Sequence, residues 1–181
     1  LALAVAESLD PRSYGEERIQ DFRAAAWSTL GNTKRLAGDL PGATEALDAA
    51  GEALARGTGD PLEEANTISI RASLQNDLGD PEGATEALRR AVRLALAVGA
   101  RHLAARFTLQ QSSCIGWIDP ARSLQLAEEG LELLGTTADP HLELVGRHLL
   151  ALWNHESGEV EEARAILETY RYLYAKHSDV F

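Results

Sequence analysis

The feature that most constrains the fold is an acidic helix-start signal that recurs along the chain. An aspartate before a helix is a good N-cap because its carboxylate accepts a hydrogen bond from a free backbone N–H of the first turn. Five of the six prolines follow such an aspartate, in the first helical position, where a missing N–H costs nothing. The signals are about 20 residues apart, except for one double step. They are Asp39, Asp60, Asp80, Asp119, Asp139, Glu159 and Asp179.

This spacing predicts a chain built only from helices. Twenty residues accommodate one helix of about 15 residues and a turn, so two make a helical pair of about 40. The double step contains Gly99-Ala100-Arg101, a glycine C-cap followed by a restart. No stretch alternates with period two for long enough to predict a strand. We expect helices at residues 16–37, 41–57, 61–78, 81–98, 101–116, 120–134, 140–157 and 160–176.

The beginning of the chain predicts a helix, a turn and a second, longer helix. Residues 1–8 are apolar and rich in alanine, which is typical of the second helix of a preceding hairpin. Residues 10–15 predict a turn, and Ser13 and Glu16 have the spacing of a capping box. The chain begins with leucine and contains no methionine, so we expect it to be a piece of a longer protein.

Composition narrows the classes of function. The 181 residues carry a formal net charge of −11, which disfavours binding to nucleic acid and to anionic membranes. The apolar stretches are too short to span a membrane, and residues 1–6 are too short for a signal peptide. The single cysteine, Cys114, excludes an internal disulfide and a cysteine metal cluster. We expect a cytoplasmic protein.

Small and large apolar residues recur at matching positions of four consecutive helical pairs. The first helix of the first pair carries Trp27 and Leu30-Gly31. Its second helix carries Ala43, Leu47 and Ala50. The later pairs match with Ile68, Ala72, Ala84, Leu88 and Ala91; with Phe107, Ser123, Ala127 and Gly130; and with Leu150, Ala151, Ala163, Leu167 and Tyr170. The spacings are 41, 39 and 40 residues. This pattern resembles the tetratricopeptide repeat family, with repeats longer than its usual ~34 residues.

The resemblance covers about residue 22 to the end and implies a right-handed α-solenoid superhelix of antiparallel helical hairpins. The hairpins would be residues 16–57, 61–98, 101–134 and 140–176 of a single array, and residues 1–10 would be the trailing helix of a preceding repeat. Repeats of this length are similar to those of some bacterial signalling and regulatory proteins. Each hairpin buries its apolar face only by stacking on its neighbours.

In tetratricopeptide arrays the first helix of each hairpin lines a concave groove, and the resemblance carries ten groove residues over to this chain. They are mostly neutral and polar, which suits a peptide backbone. Asn32 matches the groove asparagine that often holds a ligand peptide. Ser28 and Asn66 stand where a carboxylate clamp would need basic residues. The ten peptide-binding residues are Asn32, Arg35, Asn66, Ser69, Ser73, Asn76, Thr108, Ser112, His148 and His155. The alternative interpretation is a solvated concave surface without a ligand.

Signatures of catalysis and metal binding are scarce in the sequence. It contains no phosphate-binding glycine loop, zinc-protease motif or nucleophile elbow. His148 and His155 are about 10 Å apart along one helix, too far to share a metal ion without a third ligand. We expect Cys114 and Trp27 to be buried and Trp117 to be partly exposed at a turn. We therefore expect no catalytic residues, no cofactor and no metal site.

The expected function is non-catalytic binding of a peptide or partner helix in the groove, as a scaffold within a larger bacterial protein. One alternative is a regulatory sensor, in which a peptide or small molecule changes the pitch of the superhelix. Another is an inert spacer or a scaffold that self-associates through exposed repeat ends. Those ends would be the apolar residues 1–3 and 170–174.

Overall fold

The computed structural model describes residues 2–135 and 139–177, and these residues form ten helices and no strand. The ten helices are α1 (Ala2–Ser8), α2 (Pro11–Tyr14), α3 (Glu16–Leu36), α4 (Leu40–Leu54), α5 (Pro61–Asp77), α6 (Pro81–Ala97), α7 (Arg101–Ile115), α8 (Pro120–Leu134), α9 (Pro140–Glu156) and α10 (Val160–His177). The predicted all-α class is confirmed. Asp179 and the side chains of Tyr170 and residues 172–174, which entered the predictions, lie outside the described part.

The aspartate signals mark the helix starts as predicted. The side chains of Asp39, Asp60, Asp119 and Asp139 each accept a hydrogen bond from a backbone N–H in the first turn of α4, α5, α8 and α9. The N–H of Leu142, followed by the His102 side chain, holds the pKa of the Asp139 carboxyl below its usual value. Caps that act within three residues explain why local sequence predicts these boundaries well.

The start of α3 differs from the prediction. Residues 11–14, predicted as part of a turn, form the short helix α2, which Asp10 caps. The predicted capping box is wrong, because Ser13 lies within α2 and its hydroxyl donates to Asp10 Oδ2 at 3.0 Å. Gly15, with φ +82°, takes the N-cap position of α3 without a side-chain bond.

The chain forms two compact units, Leu1–Leu94 (unit 1) and Ala95–Phe181 (unit 2), and their boundary falls inside α6. In unit 1, α3 packs against α1, α2, α4 and α5, and α4 also contacts α5. In unit 2, α7 packs against α8 and α9, α8 against α9, and α9 against α10. Helices that follow one another in the chain therefore pack on one another within each unit.

Close approach between helices depends on glycines that face large side chains. In unit 1, a Cβ on Gly31 of α3 would lie 2.8 Å from Leu47 Cγ of α4. In unit 2 the arrangement is reversed, because Gly130 on the second helix, α8, faces Leu109 on the first helix, α7, with 2.7 Å left for a Cβ. Leu47 and Leu109 are both almost completely buried. Each glycine thus provides the space that a core leucine fills.

In the core of unit 2, the indole ring of Trp153 packs directly against the backbone at Gly116. Trp153 of α9 is 1% exposed, and its ring occupies the space where a side chain on Gly116 would stand, at the end of α7. Gly116 itself has ordinary helical angles (φ −60°, ψ −33°), so alanine could adopt its backbone conformation. The requirement for glycine here is one of space and not of conformation.

We predict opposite effects for the same change at two glycines. Gly116→Ala should lower the free energy of unfolding by about 1–3 kcal/mol, because the new methyl overlaps the Trp153 ring. Gly51→Ala, inside α4, should raise it by about 0.4–1 kcal/mol, because only Arg71 Nη2 lies near, at 3.7 Å, and alanine favours a helix. Urea unfolding followed by circular dichroism measures both. Equal effects at the two sites would contradict this account of the core.

Three carboxylates lie close together where α4 leads into α5. Asp21 of α3 is buried and accepts hydrogen bonds from the backbone N–H of Thr58 (3.1 Å) and from its hydroxyl (2.7 Å). Half-buried Glu63 lies in the field of Asp60 and Asp21. Burial, and then the charges of Asp60 and Asp21, raise the pKa of the Glu63 carboxyl above its ordinary 4.5.

This raised pKa predicts a pH-dependent effect of Glu63→Gln. A raised pKa in the folded state favours the protonated form, so the contribution of Glu63 to stability is present below pH 4.5 and is lost as the pH rises through the folded value. Glu63→Gln should therefore unfold at higher urea concentration than the wild type at pH 7. The difference should shrink towards pH 4. Glu45→Gln, at an exposed site on α4, is the matched control. An equal gain from both changes would contradict the assignment.

Candidate interaction surfaces

The structure brings two of the predicted groove residues of unit 1 together at the ends of α3 and α5. Arg35 Nε donates to Asn32 Oδ1 at 3.1 Å, and Arg35 Nη1 pairs with Asp77 Oδ2 at 2.7 Å. The Arg35 side chain is only 18% exposed. Asp77, which was not among the predicted residues, neutralises the arginine charge. A ligand here would meet an internal cross-link between two helices and not a free cation.

The other predicted residues of unit 1 form a stripe along α5. Asn66, Ser69, Ser73 and Asn76 are three or four residues apart, so they share one face of the helix. Asn66, Ser73 and Asn76 are half-buried, whereas Ser69 is buried, and Ser73 Oγ donates to the Ser69 carbonyl at 3.3 Å. The side chains at the two ends of the stripe, Asn66 and Asn76, are half-buried. Its centre, at Ser69, is more enclosed.

Two predicted residues of unit 2, Thr108 and Ser112, are inside the unit. Thr108 is 3% exposed and its hydroxyl donates to the Ala104 carbonyl at 2.9 Å. Ser112 and Ser123 are completely buried, with their hydroxyl oxygens 2.8 Å apart. Ser123 Oγ also donates to the Ser112 carbonyl at 2.7 Å, so the Ser112 hydroxyl must donate to Ser123. The hydroxyls of Thr108 and Ser112 therefore both donate hydrogen bonds to other atoms inside the unit.

The last two predicted residues, His148 and His155, line one groove between α9 and α10 that has a volume of about 370 Å³. We call it the α9–α10 groove. Both histidines are exposed at its edge. Its other lining residues are mostly apolar: Ala151, Leu152, Val160, Ala163, Arg164 and Leu167. The α10 residues of this groove were not among the predicted site residues. The spacing of Val160, Ala163 and Leu167 at i, i+3 and i+7 is nevertheless visible in the sequence.

A second apolar groove, of about 560 Å³, lies in unit 1 between α1, α2 and α3. Tyr14 and Phe22 meet there edge to face with ring centroids 6.3 Å apart, and Val5 is 52% exposed beside them. The sequence predicted exposed apolar residues at the start of the chain, at residues 1–3. Leu1 and the side chain of Ala2 lie outside the described part of the chain; Leu3 is half-buried, and Val5, Tyr14 and Phe22 are exposed.

The cysteine and the tryptophans singled out by the sequence differ in their exposure. Cys114 is buried, as predicted, and Trp117 is 73% exposed, with its ring edge to face on Trp153 at 5.1 Å between centroids. Trp27, predicted in the core, is only half-buried. Within residues 2–135 and 139–177, no three histidine, cysteine or carboxylate side chains are grouped to hold a metal ion. None of the helices described there has the length and apolarity needed to cross a membrane.

Comparison with known proteins adds no identification. No protein-family model matches the sequence, and a search of curated proteins found no match. The resemblance to tetratricopeptide repeats therefore depends on the repeat positions named above.

We predict that the Ser112–Ser123 pair contributes stability and not binding. Ser123→Ala should lower the free energy of unfolding by about 1–3 kcal/mol, because it leaves the Ser112 hydroxyl buried without an acceptor. The double change Ser112→Ala with Ser123→Ala should cost less than the sum of the single changes, because it removes both polar partners. Ser113→Ala, at the adjacent exposed position, should change stability by less than about 0.5 kcal/mol. Additive effects in urea unfolding would contradict the coupling.

Proposed function

We propose that this chain is a non-catalytic protein-interaction module that binds an amphipathic helix of a partner protein in the α9–α10 groove. The observation that carries the proposal is the groove itself, whose lining combines two exposed histidines and one arginine with five apolar residues. Two of the ten residues that the repeat resemblance assigned to ligand binding lie on it.

The lining residues of both helices recur at helical spacing. On α9, His148, Leu152 and His155 follow one another at i, i+4 and i+7; on α10, Val160, Ala163 and Leu167 do so at i, i+3 and i+7. Val160 and Leu167, two turns apart on one face of α10, are each 46% exposed, so two large apolar side chains of this face are open to solvent. A partner helix whose own apolar residues have the same spacing fits the α9–α10 groove.

Charge indicates the kind of helix that fits. The lining contains His148, His155 and Arg164 but no carboxylate, in a chain whose net charge is −11. Arg164 pairs with Glu161, and the His155 ring lies 3.4 Å from Glu156, both outside the lining. The preferred partner is therefore a helix with large apolar anchors and acidic residues beside them.

The wider setting of this site follows from the repeat resemblance. We infer a right-handed α-solenoid of antiparallel hairpins, forming part of a larger cytoplasmic bacterial protein in which this segment acts as a scaffold. Support comes from the recurring small and large residues and from the sequential packing of helices within each unit.

A second candidate is a peptide-sensing regulatory surface in unit 1. It is favoured by the half-buried amide of Asn76 at the end of this stripe on α5, which can bond to the backbone of an extended peptide. The neutralised Arg35 makes this surface tolerant of peptides of either charge.

Selection from a display library of helical peptides tests the first proposal. We expect enrichment of sequences with apolar residues at i, i+3 or i+4, and i+7 and with acidic neighbours. A selected peptide should bind Leu167→Glu at least tenfold more weakly than wild type, since the new charge lies in the groove. Ala165→Glu adds the same charge to an exposed position on α10 outside the lining and should leave the affinity unchanged. Circular dichroism verifies that both variants remain helical. Absence of enrichment, or equal losses in the two variants, would contradict the proposal.

A further inference from the structure

Unit 1 contains a polar pocket of about 390 Å³ whose lining includes none of the ten predicted groove residues. It lies between α1, α3 and α4. On α3, Gln20, Arg23 and Trp27 lie at i, i+3 and i+7, so they form one face of the helix. Glu52 of α4, Arg56 in the turn after α4 and Glu7 of α1 complete its polar lining. We call it the Arg23 pocket.

The charged groups of this pocket are not paired with each other. Among the described residues, neither Arg23 nor Arg56 forms an ion pair with a carboxylate, and neither Glu7 nor Glu52 forms one with a base. Elsewhere in unit 1 the arginines at 35, 71 and 90 are paired, with Asp77, Asp48 and Glu64. Two cations and two anions that share a pocket yet stay separate leave room between them for a molecule that bears both charges.

A buried acceptor points to the same kind of molecule. The side-chain oxygen of Gln20 is shielded from solvent and has no hydrogen-bond partner. Leaving such an oxygen unpaired is unfavourable, and a side-chain rotation that turns it into the pocket would let it accept from a ligand N–H. Half-buried Trp27, seven residues further along α3, adds an aromatic surface to the lining of the pocket.

We propose that the Arg23 pocket binds a small zwitterion, namely a free α-amino acid or a dipeptide. The arginines bind its carboxylate, the glutamates bind its ammonium group, Gln20 Oε1 accepts from an N–H, and an apolar ligand side chain packs on Trp27. The volume lies near the lower end of the range for ligand pockets, which favours one or two residues over a longer peptide. The proposal does not depend on the α9–α10 groove, which belongs to unit 2 and shares no residue with this pocket.

Titration calorimetry with the whole chain tests the ligand class. The probes are the common L-amino acids and glycyl dipeptides that carry the same side chains. The best binder is then compared with its N-acetylated form, which keeps only the carboxylate, and with its C-terminal amide, which keeps only the ammonium group. We expect at least one zwitterion to bind and both blocked forms to bind at least tenfold more weakly, because each loses a charged hydrogen bond. No binding by any probe, or equal binding by a blocked form, would overturn the proposal.

Matched variants locate the site. Arg23→Gln should weaken binding of the best zwitterion at least tenfold, whereas Arg18→Gln, at an exposed position on α3 outside the lining, should not change it. Gln20→Leu should also weaken binding. Gln75→Leu is its control, because Gln75 Oε1 is likewise buried without a partner but belongs to α5 and lies outside this pocket. Binding that is lost equally in a variant and its control would overturn the assignment to this pocket. If the zwitterion binds while no helical peptide is selected, the groove proposal fails and this one stands.

Discussion

The constraint on which both units depend is the distance between neighbouring helices. Where Gly31 faces Leu47 and Gly130 faces Leu109, one helix has no side chain and the other inserts a leucine. Helix packing at short axial distance requires such pairs, because two full side chains cannot occupy the same volume. Trp153 on Gly116 extends the same principle to an aromatic ring. These contacts determine how closely α3 approaches α4 and how closely α7 approaches α8 and α9.

The fold class and most helix boundaries could be predicted because they depend on local chemistry. An aspartate such as Asp139 caps the helix that begins next to it, and no distant contact is needed. The prediction was wrong where two local options competed. Ser13 has the spacing of a cap for α3, but Asp10 captures its hydroxyl one turn earlier. Periodicity does not rank such alternatives, because both bonds are equally local.

The candidate sites were harder to predict because they combine distant residues. Repeat position placed Ser112 in a groove, yet its hydroxyl is buried against Ser123 of the next helix. A hydroxyl suits an interior as well as a surface when it finds a partner, so residue type could not decide. Glu7 and Arg56 are almost fifty residues apart in the chain and meet only through α3. No pattern in one helix reveals that pocket.

The reversed glycine–leucine pairs also determine which helices are compatible. Ala50 of α4 occupies the repeat position that Gly130 holds in α8. If α4 took the place of α8 beside α7, the methyl of Ala50 would stand at the position of Gly130, where a Cβ would lie only 2.7 Å from Leu109. If α8 took the place of α4 beside α3, Ala127 would replace Leu47. The smaller alanine would leave a void next to Gly31. The second helices of these two pairs are therefore not interchangeable, because each has the shape that its own first helix requires.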